Sequence, residues 1–478
     1  MRGLLIVGIG VSVLFLLVCE AFSATYYVAT TGNDNNNGSV GAPWATIQKC
    51  ANVAIAGDTC NVAAGNYGAS GSPVAIVSKA SGSAGKLITF QGAGAASTTL
   101  WGQWSIAHNY NKVTGFKIDS KDIGGYENTV TISGSYDQIT NNTITSTKAA
   151  ASLVYVGGIS TTDLSSYAMV SNNIFSNHNY LSADIHGSHH TFSGNEWIGR
   201  PTFVRDDPDN PGHNCNYPAY DRAYIFATYY TEDGENIHGW DGGDCIGGPH
   251  MDVWQSFAGQ GLESGNNVIK NDTVYNITGG TQLCNLDGVG NELHDWTWYN
   301  NVIYNVSHGV CNIYQGARMK WYNNTFYAVG TESATSILIY SARATEGVVN
   351  NNMFIGCGYG SYAAWVGFYD MDPGTGTHDY NYVTQSAATG YAAKTGGNFT
   401  DAHGINGGDP KFVNVSAKDF RIQSGSPAIG AGANFYSTFT TDKDGNPRPS
   451  SGGWAMGAYA TAGGGTSLSA PKNLRVAP

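Results

Sequence analysis

Seven copies of one six-residue frame, built around a pair of asparagines, recur along this chain. They read ITNNTI from Ile139, VSNNIF from Val170, FSGNEW from Phe192, IKNDTV from Ile269, WYNNVI from Trp298, WYNNTF from Trp321 and VNNNMF from Val349. The fourth positions, Asn142, Asn173, Asn195, Asp272, Asn301, Asn324 and Asn352, are separated by 31, 22, 77, 29, 23 and 28 residues. Outside the one long gap, that is the repeat length of a solenoid, whose units bury their apolar sides only against one another. The frame is rich in β-branched and aromatic residues around a polar turn, so each copy reads as strand, turn, strand. Stacking the copies sets one asparagine above the next, where side-chain amides can bond along the stack as a ladder. Asparagine is common in loops, but seven copies in register predict a parallel β-solenoid.

Composition narrows the setting. Arg2, the apolar run Leu4 to Val18 and the small residues Ala21-Phe22-Ser23 read as a secretory signal over residues 1–23. Val18 before Cys19 does not suit a lipobox, and no other run of 18 apolar residues follows. The expectation is an exported, soluble protein, extracellular or periplasmic, with no membrane contact after cleavage. Only 12% of residues are charged, with 64 Gly and 29 Tyr, which suits strands and tight turns better than long amphipathic helices. A net charge of −12 argues against nucleic acid as a partner. An acidic glycan stays possible, because a bound cation inverts the local field.

The start of the mature chain carries a more specific pattern: YYVATTGND from Tyr26, GAPWATIQKCA from Gly41 and AGDTCNVAAGNY from Ala56. It resembles the N-terminal cap of secreted bacterial right-handed parallel β-helix proteins of the pectate-lyase-like superfamily. That group includes polysaccharide lyases, glycoside hydrolases and uronan epimerases. The resemblance implies an all-β, single-stranded right-handed parallel β-helix. The expected layout is a strand and helix cap over 24–75 and coils over 76–400 with a long insert around 199–250. A C-terminal cap segment over 401–460 and a linker-like tail over 461–478 complete it. Pro43-Trp44 should open the capping helix, which ends near Gly57. The gap between Asn195 and Asp272 should hold two or three coils plus the insert.

Export makes disulfides plausible. Cys50 and Cys60 bracket a short loop and are expected to pair, and Cys215 with Cys245 would span the insert. Cys284, Cys311 and Cys357 fall at coil-like intervals and read as small interior residues.

Strands upstream of the frames locate the chemistry. SADIHG, PHMDVWQ, CNLDGVG and VCNIYQG align on Ile185, Val253, Leu286 and Ile313. If Ala183/Ile185, Met251/Val253, Cys284/Leu286 and Cys311/Ile313 face inward, their neighbours face outward. The outward set is then Asp184, His186, His250, Asp252, Trp254, Asn285, Asp287, Asn312 and Tyr314. On coils about 4.8 Å apart these would form one stripe. Outward Asp and Asn in a Gly-rich solenoid often serve only turn backbone. Three aspartates stacked together would instead repel one another unless a cation or shifted pKa values relieve them.

The catalytic candidates are therefore His250, Asp252, Asp287, Asp184 and His186, with His250 and Asp252 as a base and its carboxylate. Trp254, Tyr314, Gln255, Asn312, Arg205 and Arg222 are substrate-binding candidates. Asp241, Asp244, Asp252 and Asp287 could hold a metal. Lyases of the resembled superfamily pair calcium with a Lys or Arg base, so Ca2+ is the cofactor implied, and an arginine of the insert is the alternative base to His250. Lys270, Arg318 and Lys320 are further basic candidates, but Lys270 belongs to another face and reads as a surface residue. Asp442, Asp444 and Asn446 lack the acidic twelfth position of a calcium loop and read as a polar turn.

The expected activity is β-elimination of an acidic plant, algal or microbial polysaccharide by a monomer. Hydrolysis would need two carboxyl groups about 5 Å or about 6.5–9.5 Å apart. The stacked Asp252 and Asp287, or Asp241 with Asp244, would provide them. GGDC from Gly242 is a faint match to polygalacturonase-like hydrolases, whose downstream motifs are missing. A glycan-binding protein with Tyr and Trp platforms and no catalysis is the third reading.

Overall fold

The computed structural model describes residues 23–460 apart from 70, 121–127, 147–151, 158–164, 177–180, 200–201, 207–213, 219–251, 259–262, 278–281, 289–291, 307–310, 314–315, 331–335, 341–344, 358–363, 369–375 and 385–400. Strands Thr202–Asp206, Asn214–Pro218, Ser336–Tyr340 and Ala364–Phe368 are described by their backbone alone.

The chain winds as a right-handed parallel β-helix with three faces. The first face is a 12-stranded parallel sheet running from Thr25–Val28 to Thr377–Asp379. The second runs from Gly65–Tyr67 through Thr143–Thr145 and Val302–Val306 to Ile405–Asn406. The third runs from Val74–Val77 through Leu181–Ile185 and Asp252–Ala258 to Ala364–Phe368. Strand Thr98–Ile106 bends across the second and third faces and joins them into one 21-stranded sheet.

The register explains each position of the frame. First positions stack inward on the first face, as Ile139, Val170, Phe192, Ile269, Trp298, Trp321 and Val349. Sixth positions stack inward on the second, as Ile144, Phe175, Trp197, Val274, Ile303, Phe326 and Phe354. Aromatic members lie flat on one another: Trp298 on Trp321 at 4.3 Å, Phe175 on Trp197 at 4.1 Å.

The two asparagines do different work. The first turns the corner in the left-handed conformation, with φ between 51° and 60° at Asn141, Asn172, Asn271, Asn300, Asn323 and Asn351. Asparagine tolerates that region better than other side chains. The second is the buried ladder rung: Asn142 donates its backbone N–H (2.9 Å) and its amide (3.2 Å) to Asn173 Oδ1. Its amide also reaches the Val113 carbonyl at 3.0 Å, so the side-chain nitrogen of this buried rung is bonded on both sides. The ladder continues to Asn381 and ends on Asp401, an acceptor-only residue where no further rung needs a donor.

The long gap holds one coil, not two or three. Ser193 is the direct register partner of Lys270, and Trp197 of Val274. The extra residues therefore leave and rejoin between the second and third faces. Their described part includes an antiparallel hairpin, Thr202–Asp206 with Asn214–Pro218.

At the N-terminal end the helix covers Ile47–Val53, later than Pro43-Trp44, because the Trp44 N–H is already bonded to the Tyr27 carbonyl. Thr46 caps it by accepting the Lys49 N–H. Ile47, Cys50 and Ala51 face the core, and a disulfide joins Cys50 to Cys60 on strand Thr59–Val62. Cys284 and Cys311 are register partners on adjacent coils and are disulfide-bonded, rather than simply stacked as thiols; Cys357 is a buried thiol.

From Asp409 the chain runs back along the flank. Phe439 stacks on Tyr299, Phe435 packs on Tyr322, and Phe420 on both Tyr304 and Tyr327. The corner asparagines hold this segment: Asn300 donates to the Thr441 carbonyl, Asn323 to Ala455 and Gly457, Asn351 to Ala433. Asp442 accepts the N–H groups of Asp444 and Asn446, a self-closed polar turn.

Candidate active site

The third face bears the outward columns in which chemistry was expected. Register pairing sets Ser105, Thr131, Tyr155, Asp184, Gln255, Asn285 and Asn312 in one column. Two residues further on, Phe257 pairs with Asp287, and His186 occupies the same column one coil earlier.

Asp252 and Trp254 depart from the expected register. Asp252 pairs with Leu181 and Gln282, and Trp254 with Ala183 and Cys284, a shift of three residues from the sequence alignment. Trp254 therefore points inward, fully buried and edge-on to Trp197 at 6.3 Å between ring centres. The strand carries apolar residues at both parities, Val253 and Trp254, so alternation alone permits two registers. The interior decides between them: a large indole fills the space between the small Ala183 and Cys284, and a slip by an odd number of residues turns every side chain over.

Two consequences follow for the expected carboxylates. Asp252 is fully buried and is not a neighbour of Asp287, which pairs with Phe257, so neither the metal pair nor the hydrolytic pair of Asp252 with Asp287 forms. Asp184, Asp252 and Asp287 likewise share no single stripe. His250, Asp241, Asp244, Arg222 and Tyr314 lie outside the described residues, while Arg205 and Asn312 are placed by backbone only.

What the face does assemble is a pair, Asp184 with His186. The His186 Nε2 lies 3.0 Å from Asp184 Oδ1, with the His186 side chain only 10% exposed. The other ring nitrogen, Nδ1, makes no hydrogen bond to a described residue. The adjacent coil leaves room for the ring: at Gly157, φ +132°, a Cβ would lie 2.5 Å from the His186 Cβ. Beneath it, His190 accepts the Ala168 N–H at Nδ1 (3.0 Å) and donates from Nε2 to the His186 carbonyl (2.8 Å). Burial pushes His190 down to about 4, so it is a neutral clamp on the His186 backbone.

Two residues that sequence reasoning missed complete the surroundings. Tyr155 sets its ring 5.5 Å from that of His186, and burial together with the Asp184 charge pushes its hydroxyl up to about 12. Phe257 is 45% exposed, an outward apolar ring beside the pair. The alternation of SLVYV signalled the outward Tyr155; Phe257 was hidden by the wrong register.

At the corner beside this face a charged chain spans successive coils. His294 Nε2 lies 3.3 Å from Glu263, and its Nδ1 3.0 Å from Asp295, which also accepts from Arg318 (2.7 Å) and Lys320 (3.3 Å). Burial opposes ionisation of Asp295, but hydrogen bonds from Arg318, His294 and Lys320 outweigh it and hold the carboxyl at about 2. Lys270 lies on the first face, its ammonium over the Tyr299 ring. Among the described residues no three His, Cys, Asp or Glu side chains converge as a metal site.

Comparison with known proteins gives a matching picture of the fold. Residues 30–198 match the family described as "Protein of unknown function (DUF1565)". No curated protein matches the chain. Among solved structures, pectate lyase Pel9A superposes with a TM-score of 0.56 at 15% identity, covering 92% of this chain and 97% of that one. XylC, solved in complex with xylose, gives 0.48 at 12% identity over 91% and 98%. A mannuronic acid specific polysaccharide family 6 lyase from human gut microbiota gives 0.40 at 11% over 76% and 67%. The likeness to Pel9A shows the fold alone, and that fold is a right-handed parallel β-helix.

Proposed function

We propose that this chain is an exported polysaccharide lyase that cleaves a uronic-acid-containing glycan by β-elimination on the third face. The observation that carries the reading is the Asp184–His186 pair, which spans two outward columns beside the exposed Phe257 ring. Elimination needs a base for the proton α to the uronate carboxylate and an acid for the departing oxygen. His186, with the Asp184 carboxylate 3.0 Å from its Nε2, takes that proton. The C–H electrons form the new C=C bond as the C–O bond to the leaving sugar breaks. Tyr155, kept protonated by its raised pKa, supplies the proton to the departing oxygen. Phe257 offers a stacking surface to a pyranose ring.

The described residues form no calcium site, so no step is drawn through a metal. Asp241 and Asp244 remain the residues by which the chain would bind one, and Arg205 and Arg222 the cations for a substrate carboxylate.

The test is incubation with a panel of uronans, with and without chelator, followed by ultraviolet absorbance of the unsaturated product and by mass analysis. New absorbance that disappears in Asp184→Asn and His186→Ala supports the reading. Reducing ends without absorbance would establish hydrolysis instead. Binding without turnover in the wild type would establish a non-catalytic glycan-binding protein.

A further inference from the structure

A second concavity lies far from the Asp184–His186 pair, on the first face at the N-terminal end. Tyr27, Asn61 and Gln91 occupy one outward column on three successive coils. Beside them Val40 and Pro43 wall an open depression of about 380 Å³.

Its wall is built rigidly. The Tyr27 N–H donates to the Gly38 carbonyl (2.8 Å), and the Trp44 N–H to the Tyr27 carbonyl (2.9 Å), so the loop is tied down on both sides of the aromatic residue. Gly38, at φ +75°, admits the Trp44 ring where a Cβ would lie 2.8 Å from it. Trp44 in turn donates from Nε1 to the Asn36 carbonyl at 2.7 Å. At the far end Gly92 has to stay glycine, because a Cβ there would lie 2.3 Å from the Gly115 carbonyl oxygen, and this keeps that corner open.

The lining chemistry is selective. No charged side chain lines the pocket. Val40, 74% exposed, is an apolar residue left facing solvent at its rim. The Gln91 amide is anchored on the Gly92 carbonyl at 3.0 Å, whereas the Asn61 carboxamide makes no hydrogen bond to another described residue. An aromatic ring, an aliphatic wall and carboxamides able both to donate and to accept match the apolar faces and hydroxyl rim of an uncharged sugar ring. A carboxylated sugar would be desolvated there with no cation to meet it.

We infer that this pocket is a second glycan-binding site, taking a neutral pyranose unit and acting independently of the Asp184–His186 pair. Its function is to anchor the chain on a polysaccharide, adding avidity to whatever the third face engages.

The test is isothermal titration calorimetry of the mature chain with cellohexaose, xylohexaose and mannohexaose, and separately with tetragalacturonate. At least one neutral oligosaccharide should bind saturably, at least ten-fold more tightly than tetragalacturonate. Asn61→Ala and Val40→Glu should each weaken that binding at least ten-fold. His186→Ala should leave it unchanged. Val40 is exposed, so an unchanged melting temperature confirms that Val40→Glu is folded. Absence of binding by all three neutral sugars overturns the inference. So does binding that survives both pocket substitutions, binding lost in His186→Ala, or equal affinity for tetragalacturonate. Loss of the elimination activity with these results intact would remove the catalytic reading and leave this site standing.

Discussion

Asn195 donates its backbone N–H (2.8 Å) and its amide (3.3 Å) to Oδ1 of Asp272, a residue 77 positions further along the chain. The insert is thus spanned by an ordinary ladder rung, and the solenoid continues as though those residues were absent. Asp272 is nonetheless an acid in a column of amides. Trp197 Nε1 donates to its second oxygen at 2.8 Å, which is why an acceptor-only side chain suits this rung. Lys443, reaching in from the flanking segment, donates to the Asp272 carbonyl at 2.8 Å and also to that of Asn271. Burial raises the Asp272 carboxyl and lowers the Lys443 ammonium, while their charges attract.

Asp272→Asn should therefore destabilise the chain by about 1–3 kcal/mol, because a buried amide group would face the Trp197 N–H donor to donor. Lys443→Met should cost less in the Asp272→Asn background than in the wild type, since the charge it balances has gone. Urea unfolding of the four proteins measures both effects, and strictly additive costs would show that the two residues are not coupled.

Two buried groups in the other corner give opposite pH dependences. His190 is depressed to about 4, so its folded form resists protonation; its contribution is complete above about 6.5 and is lost as pH falls towards 4. The lost stability is about 3 kcal/mol over that interval. Burial raises Asp137 to about 8 although the Asn111 N–H opposes the shift, so its contribution is complete in acid and is lost as pH rises through about 8. Asp137→Asn should accordingly be more stable than wild type at pH 8 and show a smaller difference at pH 4. Chemical denaturation across that range checks the sign, and an advantage that grew towards acid would contradict the assignment.

Removal of the chain beyond residue 404 should expose a long apolar strip. Val302, Met353, Ile355 and Tyr382 pack in one cluster with Phe412, Phe420, Ala455 and Met456. A solenoid flank of that kind invites association. The truncated protein is expected to lose soluble yield and to elute as aggregates in size-exclusion chromatography, whereas a monomer of undiminished yield would show that the flank is dispensable.

How much of this was written in the sequence depends on how each residue is fixed. The frame revealed the fold, because its first and sixth positions are large apolar residues with no alternative orientation. It concealed that Asn300, Asn323 and Asn351 both turn the corner and hold the flanking segment, since a short-range motif carries no record of residues more than 80 positions away. A matching corner on the other side was missed altogether. Tyr110, Tyr136, Tyr167 and His189 all adopt φ near 60° and stack at 4.7–4.9 Å, but their identities share no obvious motif. Asp184 and His186 were legible because Ala183 and Ile185 leave only one parity for the core. Strand Asp252–Ala258, apolar at both parities, offered no such guide.

That strand also provides the sharpest test of the site. In the observed register Trp254 belongs to the core and Phe257 to the surface; in the register read from alternation Trp254 would have been the exposed sugar platform. The substitutions separate the two. Trp254→Ala should cost about 3–5 kcal/mol, the usual penalty for emptying a large aromatic site. Phe257→Ala should change stability by no more than about 0.5 kcal/mol, as expected of an exposed position. The effects on a glycan ligand should run the other way: Phe257→Ala weakens uronan binding on the third face, raising KM more than it lowers kcat. A stable Trp254→Ala that has lost its ligand would restore the alternative register and remove Phe257, though not the Asp184–His186 pair, from the proposed site.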